Sequence, residues 1–111
     1  MSKRWRALTR AEVAALTGQL GVYQIADADS RVLFIGMAGG RSLFGLRGEL
    51  ERERADRDPR EHGGLQFRVE VNMSYLTRCQ ELLMLHVADH GELPPGNRER
   101  LPFTLGRLSP L

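Results

Sequence analysis

Gly21-Val22-Tyr23-Gln24-Ile25-Ala26, followed by Asp27-Ala28-Asp29-Ser30 and then Val32-Leu33-Phe34-Ile35-Gly36, is the stretch on which the fold turns. The first six residues alternate and are rich in strand formers, the polar quartet is a turn, and the apolar run after it is a second strand. The pair reads as a hairpin. With Ala28-Asp29 as a two-residue loop, Tyr23 lies directly across the ladder from Phe34, within side-chain contact. Such an aromatic pair is suited to covering a sheet.

On the N-terminal side, Thr9-Arg10-Ala11-Glu12 fits a capping box, in which the Thr9 hydroxyl accepts from the Glu12 amide while Glu12 reaches back. Val13, Ala14, Leu16 and Leu20 follow at helical spacing, which predicts a helix over residues 9–20 ended by Gly18 or Gly21. On the C-terminal side, Gly36 to Gly40 reads as a flexible loop, and Ser42 as the cap of a helix from about Leu43 to Arg54. That helix has Leu43, Leu46 and Leu50 on one stripe. Glu49, Glu51, Arg52, Glu53 and Arg54 give its other face the look of a solvated surface with local ion pairs.

Ala55 to Gly64 is polar and reads as a mobile loop. Leu65 to Val71 alternates cleanly, with Leu65, Phe67, Val69 and Val71 towards a core. Tyr75 to His90 is a helix with apolar residues at nearly every angle, which predicts packing on more than one side and a central place. Gly91 stops it, and Pro94-Pro95-Gly96-Asn97 is irregular. In the tail, Phe103, Leu105 and Leu108 suggest a strand or a clasp on the core.

A chain of 111 residues has room for one hydrophobic core. Its 41% hydrophobic and 27% charged residues place it among globular rather than disordered chains. The expected fold class is α/β (α+β): a small three-stranded sheet, antiparallel or mixed, flanked by helices. One domain spans residues 1–111, with a core at 21–97, the N-terminal helix at 9–20 and a C-terminal extension at 98–111. No apolar stretch reaches membrane-spanning length and the start does not read as an export signal, so no membrane partner and a cytoplasmic location are expected.

Cys79 stands alone, which excludes an internal disulfide and a cysteine framework for zinc. Of the three histidines, His62 is isolated, whereas His86 and His90 stand four apart on a helix. A third ligand is missing nearby, so they read as solvated helix-end residues. The net charge of +2 comes from intermixed acids and bases, and it neither demands nor forbids a nucleic-acid partner.

Gly21-Val22-Tyr23 and Phe34-Ile35-Gly36 resemble the paired strands of the GIY-YIG nuclease superfamily. Three later features agree with that order. Arg47 stands on the helix after the second strand, where the family has an arginine, with Arg41 as the other choice; its alternative is a surface pair with Glu51. Glu81, in Arg78-Cys79-Gln80-Glu81, stands on the helix after the third strand, where the family has a glutamate. From its own surroundings Glu81 needs a compensating partner, either a metal ion or a salt bridge to Arg78. Pro94-Pro95-Gly96-Asn97 resembles the family's closing Pro-x-x-Asn, and equally suits an ordinary turn.

The resemblance covers residues 21–97 and implies a divergent GIY-YIG-type domain, a magnesium- or manganese-dependent endonuclease hydrolysing phosphodiester bonds in DNA. It assigns Glu81 to the metal, Tyr23 to the proton of the attacking water, Arg47 to the charge on the phosphate, and Asn97 to support of the metal-side loop. Two residues depart from it. Phe34 stands for the second tyrosine and lacks the hydroxyl, and Glu51 stands one turn after Arg47, where it repels phosphate. These departures motivate the alternative of a catalytically impaired GIY-YIG-like domain acting as a nucleic-acid-binding or protein-interaction module.

Overall fold

The computed structural model describes residues 1–40, 42–57 and 64–100. In chain order the elements are β1 (Arg6–Ala7), α1 (Arg10–Ala14), β2 (Gly21–Ala26), β3 (Val32–Ala38), α2 (Gly45–Asp56), β4 (Gln66–Val71), α3 (Tyr75–His90) and α4 (Pro95–Glu99). The strands form a single antiparallel sheet in the order β1-β4-β2-β3. The architecture is α+β, with four strands where alternation suggests three. The added strand, β1, is two residues long, too short to show a period, and it pairs Arg6 with Phe67 and Ala7 with Gln66.

The hairpin forms as expected but in a different register. Tyr23 faces Gly36, and Phe34 faces Ile25. The connection runs from Asp27 to Arg31 rather than through a two-residue loop. Asp27 Oδ1 accepts from the Asp29 and Arg31 N–H groups, and Ser30 takes a left-handed φ of 65°. Tyr23 and Phe34 still meet diagonally, with ring centroids 6.0 Å apart and tilted by 42°. Gly36 is required here because a Cβ at that position would lie 2.4 Å from the Tyr23 phenol. The tyrosine ring occupies the space that the glycine leaves open.

Alternation divides the sheet into two faces. Tyr23, Ile25, Phe34, Ala38 and Phe67 pack with Val13 and Leu16 near α1 and with Leu46 and Leu50 of α2. Val22 and Ile35 turn the other way and pack with Cys79, Leu82 and Leu83 of α3. The helix α3 is therefore packed on one side, not central as its composition suggests. Met84, Leu85 and Val87 are left exposed. Val71, at the end of β4, is exposed as well, although its alternation places it with the core residues.

Helix boundaries shift for local reasons. Thr9 caps α1 by accepting from the Glu12 N–H at 3.2 Å, but the Glu12 carboxylate bonds Arg6 instead of reaching back. The helix ends at Ala14, well before residue 20. Residues 15–20 lead the chain against the start of α2, where Leu46 N–H donates to the Gln19 carbonyl. Gly45 opens α2 with a φ of 59°, and a Cβ there would sit 2.3 Å from the Gly18 carbonyl oxygen. Ser42 does not cap this helix; its hydroxyl accepts from Gly39 and donates to Glu49.

The loop expected at residues 36–40 is largely strand, since β3 continues to Ala38, and Gly40 N–H donates to the Tyr75 hydroxyl. The expected loop from Ala55 begins later, because α2 runs to Asp56. His62 and the tail with Phe103, Leu105 and Leu108 lie outside the described residues. No helix among the described residues is long and apolar enough to cross a membrane.

Candidate functional site

Tyr23 lies on the central strand with the rest of its ring enclosed by Phe34, Leu46, Leu50 and their neighbours, and only 1% of the residue is exposed. Its hydroxyl donates to Glu53 Oε1 at 3.2 Å. Glu53 is itself 4% exposed and is held by Arg100 at 2.6 Å and by Arg57 at 3.2 Å. Arg100, just after α4, also lies over the Phe34 ring at 4.4 Å, a cation–π contact. The hydroxyl is thus capped by the Glu53 carboxylate, which the two guanidinium groups hold in place.

Electrostatics follow from this enclosure. Burial pushes the Tyr23 phenol well above its ordinary value near 10, and the negative charges of Glu53 and Glu49 push it further, against the opposing pull of Arg100. A phenol in this setting keeps its proton and donates it.

Glu81 lies on α3, over the opposite face of the sheet. Its carboxylate pairs with Arg78, and the same guanidinium bonds Glu70 at 2.8 and 3.2 Å. The sequence left a metal ion and an Arg78 bridge open as partners, and the structure supplies the bridge. Glu81, half exposed beside Arg78, is the single carboxylate that the resemblance assigns to a magnesium or manganese ion. Arg78 is shared between the two carboxylates, and among the described residues no group of three or more His, Cys, Asp or Glu side chains is arranged to hold a cation. His86 and His90 stack on each other with ring centroids 4.3 Å apart.

The other expected site residues are dispersed. Arg47 is exposed on α2 and makes no ion pair with Glu51, which is bound by Arg54. Arg41 lies outside the described residues. Asn97, 1% exposed, accepts from the Ile35 N–H at 2.8 Å and donates to the Ile35 carbonyl at 2.9 Å. It satisfies the outer edge of β3 in the way a neighbouring strand would. Tyr23 and Phe34 are together, Asn97 is bonded to Ile35 beside Phe34, and Glu81 lies on the helix that covers the other face of the sheet.

Glu53, Arg57 and Arg100 are the residues that sequence reasoning missed. Glu53 looks like part of the solvated face of α2. The available signal is its spacing: Leu46, Leu50 and Glu53 fall at i, i+4 and i+7, so Glu53 continues the buried stripe. Arg100 carries no local signal, because its partner is 47 residues away.

A second feature lies between α1 and α2. Arg10, Val13, Ala14, Phe44, Arg47, Gly48 and Glu51 line a hollow of about 410 Å³. Phe44 also lines a neighbouring hollow of about 340 Å³ with Leu43, Glu49 and Arg52. Phe44 is 60% exposed and Leu43 88%.

Residues 1–89 match the family described as Domain of unknown function (DUF7508). The chain belongs to that family. Neither a curated protein nor a solved structure matches it. The segment matched to DUF7508 contains Tyr23, Phe44, Arg47, Glu53 and Glu81 and ends one residue before the close of α3. In this DUF7508 domain, Asn97 and Arg100, which close the β3 edge and the Tyr23 pocket, follow the matched segment.

Proposed function

We propose that this chain is a GIY-YIG-like domain in which the hairpin tyrosine has become structural, and that it binds nucleic acid without cutting it. The observation that carries this reading is the burial of the Tyr23 hydroxyl against Glu53, itself held by Arg57 and Arg100, on the sheet face opposite Glu81. Hydrolysis along the lines of the resemblance needs a phenol open to water and a carboxylate free for a cation, close to the same phosphate. Tyr23 is closed, Glu81 pairs with Arg78 at the surface, and the two are separated by the sheet.

What supports binding is the charge left over. The acids around the α1–α2 surface are already engaged: Glu12 with Arg6, Glu49 with Arg52, and Glu51 with Arg54. Arg10 and Arg47 have no acidic side chain within ion-pair distance among the described residues, and arginine is well shaped for phosphate oxygens. DNA is the partner implied by the resemblance, and a phosphodiester backbone is the chemistry these arginines fit.

The test is fluorescence anisotropy of end-labelled single- and double-stranded DNA and RNA titrated with the purified protein at low and moderate salt. Binding that weakens with salt, and whose salt slope falls in an Arg10→Ala/Arg47→Ala double variant, is the expected result. Absence of binding to every nucleic acid at low salt would refute the proposal and leave a protein-interaction role.

A further inference from the structure

The geometry points to the Phe44 ridge between α1 and α2 as a stacking site for single-stranded nucleic acid, a base lying on the Phe44 ring and its phosphate held by Arg10 and Arg47. This rests on the nucleic-acid-binding reading above and adds where the strand sits and which form is taken.

Exposure of an aromatic side chain on a small domain is not in itself a site, but this ring is held out by its surroundings. Phe44 precedes α2 on a backbone locked in place. The Gly45 position presses on Gly18 with no room for a Cβ, and the Leu46 N–H is bound to Gln19. Beneath the ring lies Gly48, where a Cβ would come 2.8 Å from the Phe44 Cβ. The missing side chain lets Phe44 lie close to the helix and leaves open space beside it. The ring is 60% exposed and open to a base along its face, which favours its use as a platform.

Space and charge then select the occupant. The larger hollow, about 410 Å³, lies within the range of about 300–1,000 Å³ typical of small-ligand sites and is sufficient for one nucleotide. Its floor of Val13, Ala14 and Gly48 is apolar, as a base face requires, and its polar rim holds Arg10, Arg47 and Glu51. Glu51 shares this rim but its carboxylate is bonded to Arg54, so Arg10 and Arg47 are the rim charges without an acidic side chain in ion-pair distance among the described residues. An apolar wall beside paired guanidinium groups matches a planar base joined to a phosphate. The second hollow, on which Phe44 also borders, is lined by Leu43 and by the paired Glu49 and Arg52, and its Leu43 side extends the apolar surface beside the ring. In a duplex the bases are stacked on one another and unavailable to such a wall, so the single strand is the form selected.

The experiment compares wild type, Phe44→Ala and Phe44→Trp by anisotropy, with a fluorescein-labelled oligothymidylate of about ten nucleotides and a duplex of equal length as probes. The wild type binds the single strand more tightly than the duplex. Phe44→Ala lowers single-strand affinity about tenfold or more, and Phe44→Trp restores it, with thermal unfolding unchanged because the ring is largely exposed. Wild-type binding that Phe44→Ala alters by less than about twofold would overturn the stacking site while leaving nucleic-acid binding intact. Failure of the wild type to bind either probe would overturn both.

Discussion

Replacing Tyr23 by Phe separates a structural tyrosine from a catalytic one. The substitution keeps the ring that fills the space over Gly36 and removes only the hydroxyl donated to Glu53. A hydrogen bond to a charged partner contributes about 1.5–3 kcal/mol when it is buried and well formed. Here the bond is 3.2 Å long, and Glu53 keeps Arg57 and Arg100 after the change, so the carboxylate is not stranded. The loss therefore falls towards the lower end, about 1–2 kcal/mol. For a domain of this size, that lowers the melting temperature by roughly 4–10 °C. Thermal and urea unfolding followed by far-UV circular dichroism measures it. A cycle with Glu53→Gln gives the interaction itself, expected at about 1 kcal/mol. A Tyr23→Phe protein as stable as the wild type, or a cycle with no coupling, would refute the sealed-hydroxyl argument.

Asn97→Ala strands both the N–H and the carbonyl of Ile35, each unmet group costing about 1–3 kcal/mol, so urea unfolding should show a loss of about 2–6 kcal/mol. Glu70 has its carboxyl held below the ordinary 4.5 chiefly by hydrogen bonds from Arg78. Because the folded value is the lower one, its contribution is complete above the unfolded value and fades as pH falls through the folded one. The stability gap between wild type and Glu70→Gln should narrow when measured from about pH 7 down to about pH 3. Burial pushes the Cys79 thiol up to about 12, so iodoacetamide should leave it unmodified in the native protein and alkylate it once urea unfolds the chain.

Much of the scaffold is legible in the residues. The strand of Gln66–Val71 shows in its alternation, the hairpin in two apolar runs around Asp27 to Ser30, and the close of α3 in Gly91, which takes a left-handed φ of 81°. What escapes the sequence is set by contacts between distant elements. The hairpin register depends on how Asp27 folds the turn onto Asp29 and Arg31, which the residue types permit without dictating. The composition of α3 suggests packing all round, yet a single sheet face takes up only Cys79, Leu82 and Leu83. Glu53 carries a charge in a buried stripe because Arg57 and Arg100 meet it there, and Arg100 arrives from α4 by tertiary folding alone. The same holds for Glu81, whose two candidate partners could be named from its neighbours although the choice between them needed Glu70 on β4 to position Arg78. Gly36 and Tyr23 thus have a packing account that needs no catalysis.

One measurement addresses the central claim directly: end-labelled DNA, at a protein concentration that binds it, incubated with magnesium or manganese and resolved on a denaturing gel. The account predicts DNA that remains intact with the wild type, Tyr23→Phe and Glu81→Ala alike. Cleavage by the wild type that is abolished in both variants would contradict it, and would mean that Tyr23 and Glu81 act on one phosphate after all.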